Sequence, residues 1–233
     1  NCMYNAKIEA LKQKSEYKIA DLVEIMEILR SPGGCPWDRE QTHKSIRRNL
    51  IEETYEVVEA IDKDDKTLMC EELGDLMLQV VFHARMAEED GDFTLDDVAD
   101  GICKKLILRH PHIFSDVKAD TTEQVLTNWD NIKKEEKHQK SDREVLDSVS
   151  HSLPSLIRAD KLAGKCKKLG YEIPTDDISS LTDEFVSKTD AAASERTLGK
   201  LLLRLSAIAK ERGIDAEKAL ADACDDLVST AND

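Results

Sequence analysis

Five carboxylates stand in two groups within residues 49–79: Glu52, Glu53 and Glu56, then Glu72 and Asp75. On a helix, residues three and four apart share a face, so the first three acids occupy an arc of about 100° and can point at one locus. Their arc lies opposite a stripe of Ile51, Thr54, Val58 and Ile61. Taken alone, that is the pattern of an ordinary solvated helix face. The second group changes the balance. Around it, Leu73, Met77, Leu78, Val80, Val81, Phe82 and Ala84 leave only a narrow polar stripe of Glu72, Asp75, Gln79 and His83. A helix apolar around most of its circumference is expected to be buried, in a bundle or between subunits, and acids held in or beside an interior need protons or cations. Five converging carboxylates offer only hard oxygen donors, which suit Mg²⁺ or Mn²⁺.

Helices must position these groups. With 40% hydrophobic residues, 4% aromatics and few Gly or Pro in 233 residues, the composition predicts an all-α fold. Apolar spacing from Ile19 to Leu29 predicts a first helix, ended by the loop "SPGGCPWD". A second is expected over about Thr42 to Ile61 and a third over about Leu68 to Glu89, separated by "DKDDK". Thr94 can cap a fourth, Thr94 to Arg109, which stops before Pro111, and a fifth covers Thr122 to Lys137. Four helices with short connections suggest an antiparallel, four-helix-bundle-like domain over residues 1–137. A polar linker is expected at 138–150, and residues 151–233 read as a second helical part.

The two parts share a pattern. "LGDLMLQVVFHA" (73–84) lines up with "LGKLLLRLSAIA" (198–209), and "FTLDDVADGICKKL" (93–106) with "IDAEKALADACDDL" (214–227). Apolar positions match almost throughout, as expected of an ancient duplication. Polar positions do not: Thr197 stands for Glu72, Lys200 for Asp75 and Asp226 for Lys105, and Thr230 falls opposite Arg109. The second repeat is therefore expected to be degenerate and to serve packing or assembly.

The formal charge of −15, with no basic tract, argues against nucleic acid as a partner. An acidic surface still admits a small phosphate compound when divalent ions mediate the contact. The six cysteines are scattered with no CxxC pair, and no secretory signal or apolar run of membrane-spanning length is present. No membrane association and a reducing, cytoplasmic setting are expected. The first residue is Asn1 rather than Met, which leaves room for an upstream domain.

"EETYE" and "EELGD" resemble the EExxE and ExxD halves of the MazG family of nucleoside triphosphate pyrophosphohydrolases. "GGCPWDREQTH", "LGDLMLQVVFHARMAEEDG", "RHPHIFSD" and "NWDNIKKEEK" extend the resemblance across Ala20 to Lys137. It implies an all-α homodimer that hydrolyses nucleoside triphosphates to nucleoside monophosphate and pyrophosphate with Mg²⁺. Glu53, Glu56, Glu72 and Asp75 match the family's metal-holding positions, and Glu52 completes the motif. Lys105 and Arg109 match its phosphate-binding KxxxR pair; Trp129 and Lys133 match its WxxxK pair. The departures at Thr197 and Lys200 place any catalysis on the first repeat.

The residues suit that chemistry, with Glu52 or Glu53 as general base and Lys105, Arg109 and Lys133 offsetting phosphate charge. Plainer roles stand beside these. Lys105 and Arg109 end a helix, where cations favour the dipole, and Trp129 can serve packing. Trp37 and Arg30 are weaker candidates for the nucleobase side. His83 is expected to be a satisfied buried histidine, and His110 and His112 to shape the loop at Pro111. Two further functions remain open: a related all-α enzyme acting on another phosphorylated substrate, such as dUTP or phosphoribosyl-ATP, and a helical protein that binds metal or nucleotide without turnover.

Overall fold

The computed structural model describes residues 2–115, 121–136, 141–175, 177–187 and 190–231, and among these every regular element is an α-helix. In chain order they are α1 (Cys2–Lys12), α2 (Ile19–Arg30), α3 (Pro36–Glu40), α4 (Arg47–Asp62), α5 (Lys66–Asp90), α6 (Leu95–Arg109) and α7 (Pro111–Phe114). They continue with α8 (Thr122–Glu136), α9 (Asp142–Asp147), α10 (Ser155–Leu169), α11 (Ile178–Ser187), α12 (Ala191–Glu211) and α13 (Ala216–Thr230). The chain divides into two compact units, Asn1–Trp129 and Asp130–Asp233, with the boundary inside α8.

Local chemistry sets the ends that matter for the site. Asp65 caps α5 by accepting from the backbone N–H groups of Thr67 and Leu68, both at 3.0 Å. The preceding Asp64 turns the chain with φ 52°, so α4 and α5 form a hairpin across Lys63–Asp65. Gly91, at φ 78°, ends α5 in the left-handed conformation. Thr94 and Asp97 form a reciprocal capping box that starts α6.

Gly34 governs the return of the chain from α2. A Cβ at this position would lie 2.3 Å from the Leu29 carbonyl oxygen and 2.4 Å from that of Ile28. Only glycine lets the loop fold back so closely, and the Cys35 N–H then donates to the Leu29 carbonyl at 2.8 Å. α4 begins at Arg47, later than the expected Thr42. Polar bonds among Gln41, Thr42 and Ser45 turn residues 42–46 before the helix starts.

In the first unit α5 packs against α4, α2 and α6. Met26, Ile46, Val81, Phe82 and Met86 form the core, closed by Leu22, Val23, Leu29, Leu78 and Leu95. This core covers only the second half of α5. Leu73 and Met77 in its first half and Val80 just past the middle remain 41–45% exposed, so burial within this chain holds only beyond Val80. The core residues that cover α5 come from α2, the turn before α4 and the start of α6, and they lie against its later turns. The acids of α5 therefore sit at a half-covered edge and not in the interior.

Arg30 ties the α2–α4 connection to the end of α5. Its side chain is 8% exposed; Nη2 donates to Glu89 at 2.8 Å, and Nη1 donates to the carbonyls of Asp38 and Gln41. The guanidinium also lies 5.4 Å from the Phe82 ring centroid. Its hydrogen-bonding capacity is taken up within the fold, which removes it from the nucleobase side.

In the second unit α12 packs against α10, α11 and α13, and α10 against α9 and α13. Residues 142–147, within the polar stretch read as a linker, form α9. Ser141 and Glu144 make its capping box, and Val145 and Val149 are buried.

Candidate metal and phosphate site

The α4–α5 hairpin sets the acids against one another. Glu56 and Glu72 lie at equal chain distances on either side of Asp64, and so do Glu53 and Asp75. The helices bring ligand oxygens of Glu53, Glu56 and Glu72 within 4.8 Å of one another. Glu53 and Glu72 are half-buried, and Glu56 and Asp75 are exposed. The Asp75 charge acts on both Glu53 and Glu72.

Burial and crowding together raise the proton affinity of Glu53 and Glu72. Burial is the largest cause lifting the Glu53 carboxyl above the ordinary range, followed by a hydrogen bond with Glu56 and by the charges of Asp75, Glu56 and Glu72. Burial also leads for Glu72, followed by the charges of Glu56, Asp75 and Glu71 and a hydrogen bond with Glu56. Clustered hard oxygens under mutual repulsion fit a divalent cation, which relieves that repulsion directly.

On α6, Lys105 is exposed, and the Arg109 guanidinium lies 5.4 Å from the ring centroid of Trp129 on α8. Two of the predicted substrate-side residues, more than a helix apart in sequence, thus meet in space.

A family model described as the MazG nucleotide pyrophosphohydrolase domain matches residues 41–114, which span both acid-bearing helices and all of α6. A nucleoside triphosphate pyrophosphohydrolase of Escherichia coli (strain K12) is 41% identical over 214 residues, covering 87% of this chain and 81% of the relative. The chain belongs to the MazG family.

A further MazG relative, from Thermotoga maritima, named nucleoside triphosphate pyrophosphohydrolase/pyrophosphatase MazG, is 38% identical over 205 residues, covering 86% of this chain and 78% of the relative. A Bacillus subtilis protein named YabN is 52% identical over 138 residues, covering 59% of this chain and 28% of the relative.

Within this MazG chain the structure does not bring every expected residue to the cluster. Glu52 is exposed and accepts from Arg48 Nε at 2.9 Å, one turn back on α4 and outside the group. Lys133 lies on α8, but its side chain falls outside the described residues. At the position aligned with Glu72, Thr197 is buried, and its one hydroxyl proton has the Ala193 carbonyl at 3.0 Å and Glu184 at 3.2 Å as acceptors; Lys200 is exposed. His110 Nδ1 lies 2.6 Å from the Leu106 carbonyl at the end of α6, so it shapes the loop as expected.

His83 departs from expectation. It is half-buried, its Nε2 has no partner among the described residues, and its Nδ1 lies 2.7 Å from Nδ1 of His43. His43 stands inside the motif "GGCPWDREQTH", but nothing in that string pairs it with a residue 40 positions away.

Stability should register the raised carboxyls. In the window between their ordinary and raised values, the folded protein binds more protons than the unfolded chain, so Glu53 and Glu72 cost the cation-free fold stability as pH rises. Asp21, Glu89 and Asp97, held below the ordinary range, act in the opposite sense and lose their contribution on acidification. The separable quantity is the Mg²⁺-induced rise in Tm, which is expected to grow as pH rises through that window and then level off. A scanning-calorimetry series with and without EDTA checks it; a rise independent of pH would contradict the coupling.

Proposed function

We propose that the first unit hydrolyses nucleoside triphosphates to nucleoside monophosphate and pyrophosphate with Mg²⁺, Mn²⁺ serving in its place, and so clears nucleotide pools. The observation that carries this reading is the convergence of Glu53, Glu56 and Glu72 within 4.8 Å across the α4–α5 seam. These residues, with Asp75 beside them, would hold the cation. Bound there, it supplies a Lewis acid for phosphate oxygens and lowers the pKa of attacking water.

The chain's own groups supply the rest. Glu53, with its raised proton affinity, is better placed than the Arg48-bound Glu52 to take the proton from water attacking phosphorus. Lys105 and Arg109 offset charge developing on the phosphates, and pyrophosphate leaves. Trp129, already against Arg109, completes the substrate side within the first unit. The second unit, with Thr197 and Lys200 in place of acids, serves packing or assembly.

The protein acts as a homodimer in this reading. Ile51, Tyr55 and Val58 on α4 and Leu73, Met77 and Val80 on α5 are each 41–47% exposed, a larger apolar face than a solitary helical domain ordinarily leaves in water.

Incubation with a panel of nucleoside triphosphates and Mg²⁺, followed by separation of products, tests the reaction. Monophosphate plus pyrophosphate is expected, with loss of turnover in EDTA. Diphosphate plus orthophosphate as products would overturn the mechanism, and no turnover of any substrate would favour a binding protein.

A further inference from the structure

The acid-bearing hairpin is closed by the chain at one end only, across Lys63–Asp65. At the other end the chain leads in through residues 42–46, and there His43 meets His83 of α5. Their Nδ1 atoms are 2.7 Å apart, their ring planes differ by 6° and their centroids are 5.0 Å apart. Parallel rings with so short a nitrogen contact at that centroid separation must lie in nearly one plane. The contact is therefore an in-plane N–H···N hydrogen bond, in which one ring donates and the other must keep a free Nδ1 lone pair.

We propose that His43 and His83 form a clasp that holds the open end of the hairpin in register, keeping Glu53 and Glu56 of α4 opposite Glu72 and Asp75 of α5. The inference rests on the reading that these acids hold a divalent cation. The two histidines are positioning residues and not ligands. Four acids facing one another across the seam repel, and their repulsion acts to splay or slide the helices when no cation is bound. Ile46, buried in the core, holds the lead-in against α5 but offers no directional bond. The histidine bond supplies direction, because it forms only when one turn of α5 faces one residue of the lead-in.

The surroundings favour the neutral form of His83. Burial is the first cause holding His83 below the ordinary histidine range, and His43 is the second. Gln79, one turn earlier on α5, is uncharged; Arg85, two residues later, is taken up by Glu88 and Glu89; Lys44 and Arg47 follow His43 and add positive charge. A second proton on the pair removes the lone pair and opens the clasp.

Binding of Mn²⁺ alone to the full chain, followed by titration calorimetry at pH 8, tests this. His83→Phe and His43→Ala are each expected to weaken Mn²⁺ about tenfold, the usual scale for groups that orient ligands. The double variant is expected to be no weaker than either single one, because one bond is lost in all three. His43→Asn, which keeps a donor near the Nδ1 position, is expected to recover most of the affinity. Nitrogen-15 spectra of wild-type protein should show one shared Nδ1 proton that disappears on acidification.

Unchanged Mn²⁺ affinity in folded single variants, or additive losses in the double variant, would overturn the clasp and leave the metal reading intact if Glu72→Gln still loses Mn²⁺. Wild-type protein that binds no Mn²⁺ would overturn both. If His83→Phe fails to fold, the comparison of His43→Ala with His43→Asn decides alone, since His43 is exposed.

Discussion

Glu72→Gln is expected to lower kcat/KM for nucleoside triphosphate hydrolysis by about a thousandfold, with most of the loss in kcat. Glu72 is the α5 member of the three-carboxylate group, and its half-buried oxygens face Glu53 and Glu56 on α4. Glutamine has nearly the same shape but offers a neutral oxygen and an amide donor, so the cluster loses both a ligand and a charge. The same substitution removes repulsion from the cation-free fold, and its Tm in EDTA is expected to rise. Opposite signs on activity and stability distinguish a functional acid from a structural one. Glu53→Gln and Asp75→Asn are expected to abolish turnover as well, whereas Lys200→Asp should leave it unchanged. Steady-state kinetics and calorimetry on this set check the assignment; full activity in both Glu72→Gln and Glu53→Gln would refute it.

Arg30→Met is expected to cost about 2–4 kcal/mol of unfolding free energy, measured by urea denaturation. The substitution keeps the apolar stem but removes the donors that serve Glu89 and the carbonyls of Asp38 and Gln41. The loss falls short of that for a fully buried pair because Glu89 is 28% exposed at its side chain and keeps Arg85 as a second partner at 2.9 Å. Arg30→Lys should recover little, since one ammonium cannot span a carboxylate and two carbonyls at once. A change below about 1 kcal/mol for Arg30→Met would show that the Phe82 contact and the core alone hold the connection.

Much of the site was legible because its chemistry is written in helical spacing. The acids of α4 and α5 fall at intervals that place them on one face of each helix, and the three-residue turn between the helices makes the two faces meet. The capping residue Thr94 was readable for the same reason, since its bond to the Asp97 N–H spans three positions. The departures arose where bonds cross between elements. Arg30 reads as a free cation beside a Trp-bearing loop, yet its partner Glu89 lies 59 positions away. His83 reads as a satisfied buried histidine, yet its Nδ1 meets His43, 40 positions away.

The amino-acid order by itself determined the all-helical fold, the pairing of acidic faces and the family, because these follow from local propensity, short turns and motif spacing. Tertiary packing alone decided which carboxylates converge, which half of α5 is covered and where the two histidines meet. Those outcomes depend on the helix and loop residues that happen to lie alongside α5, and a periodic pattern carries no information about that neighbour's reach.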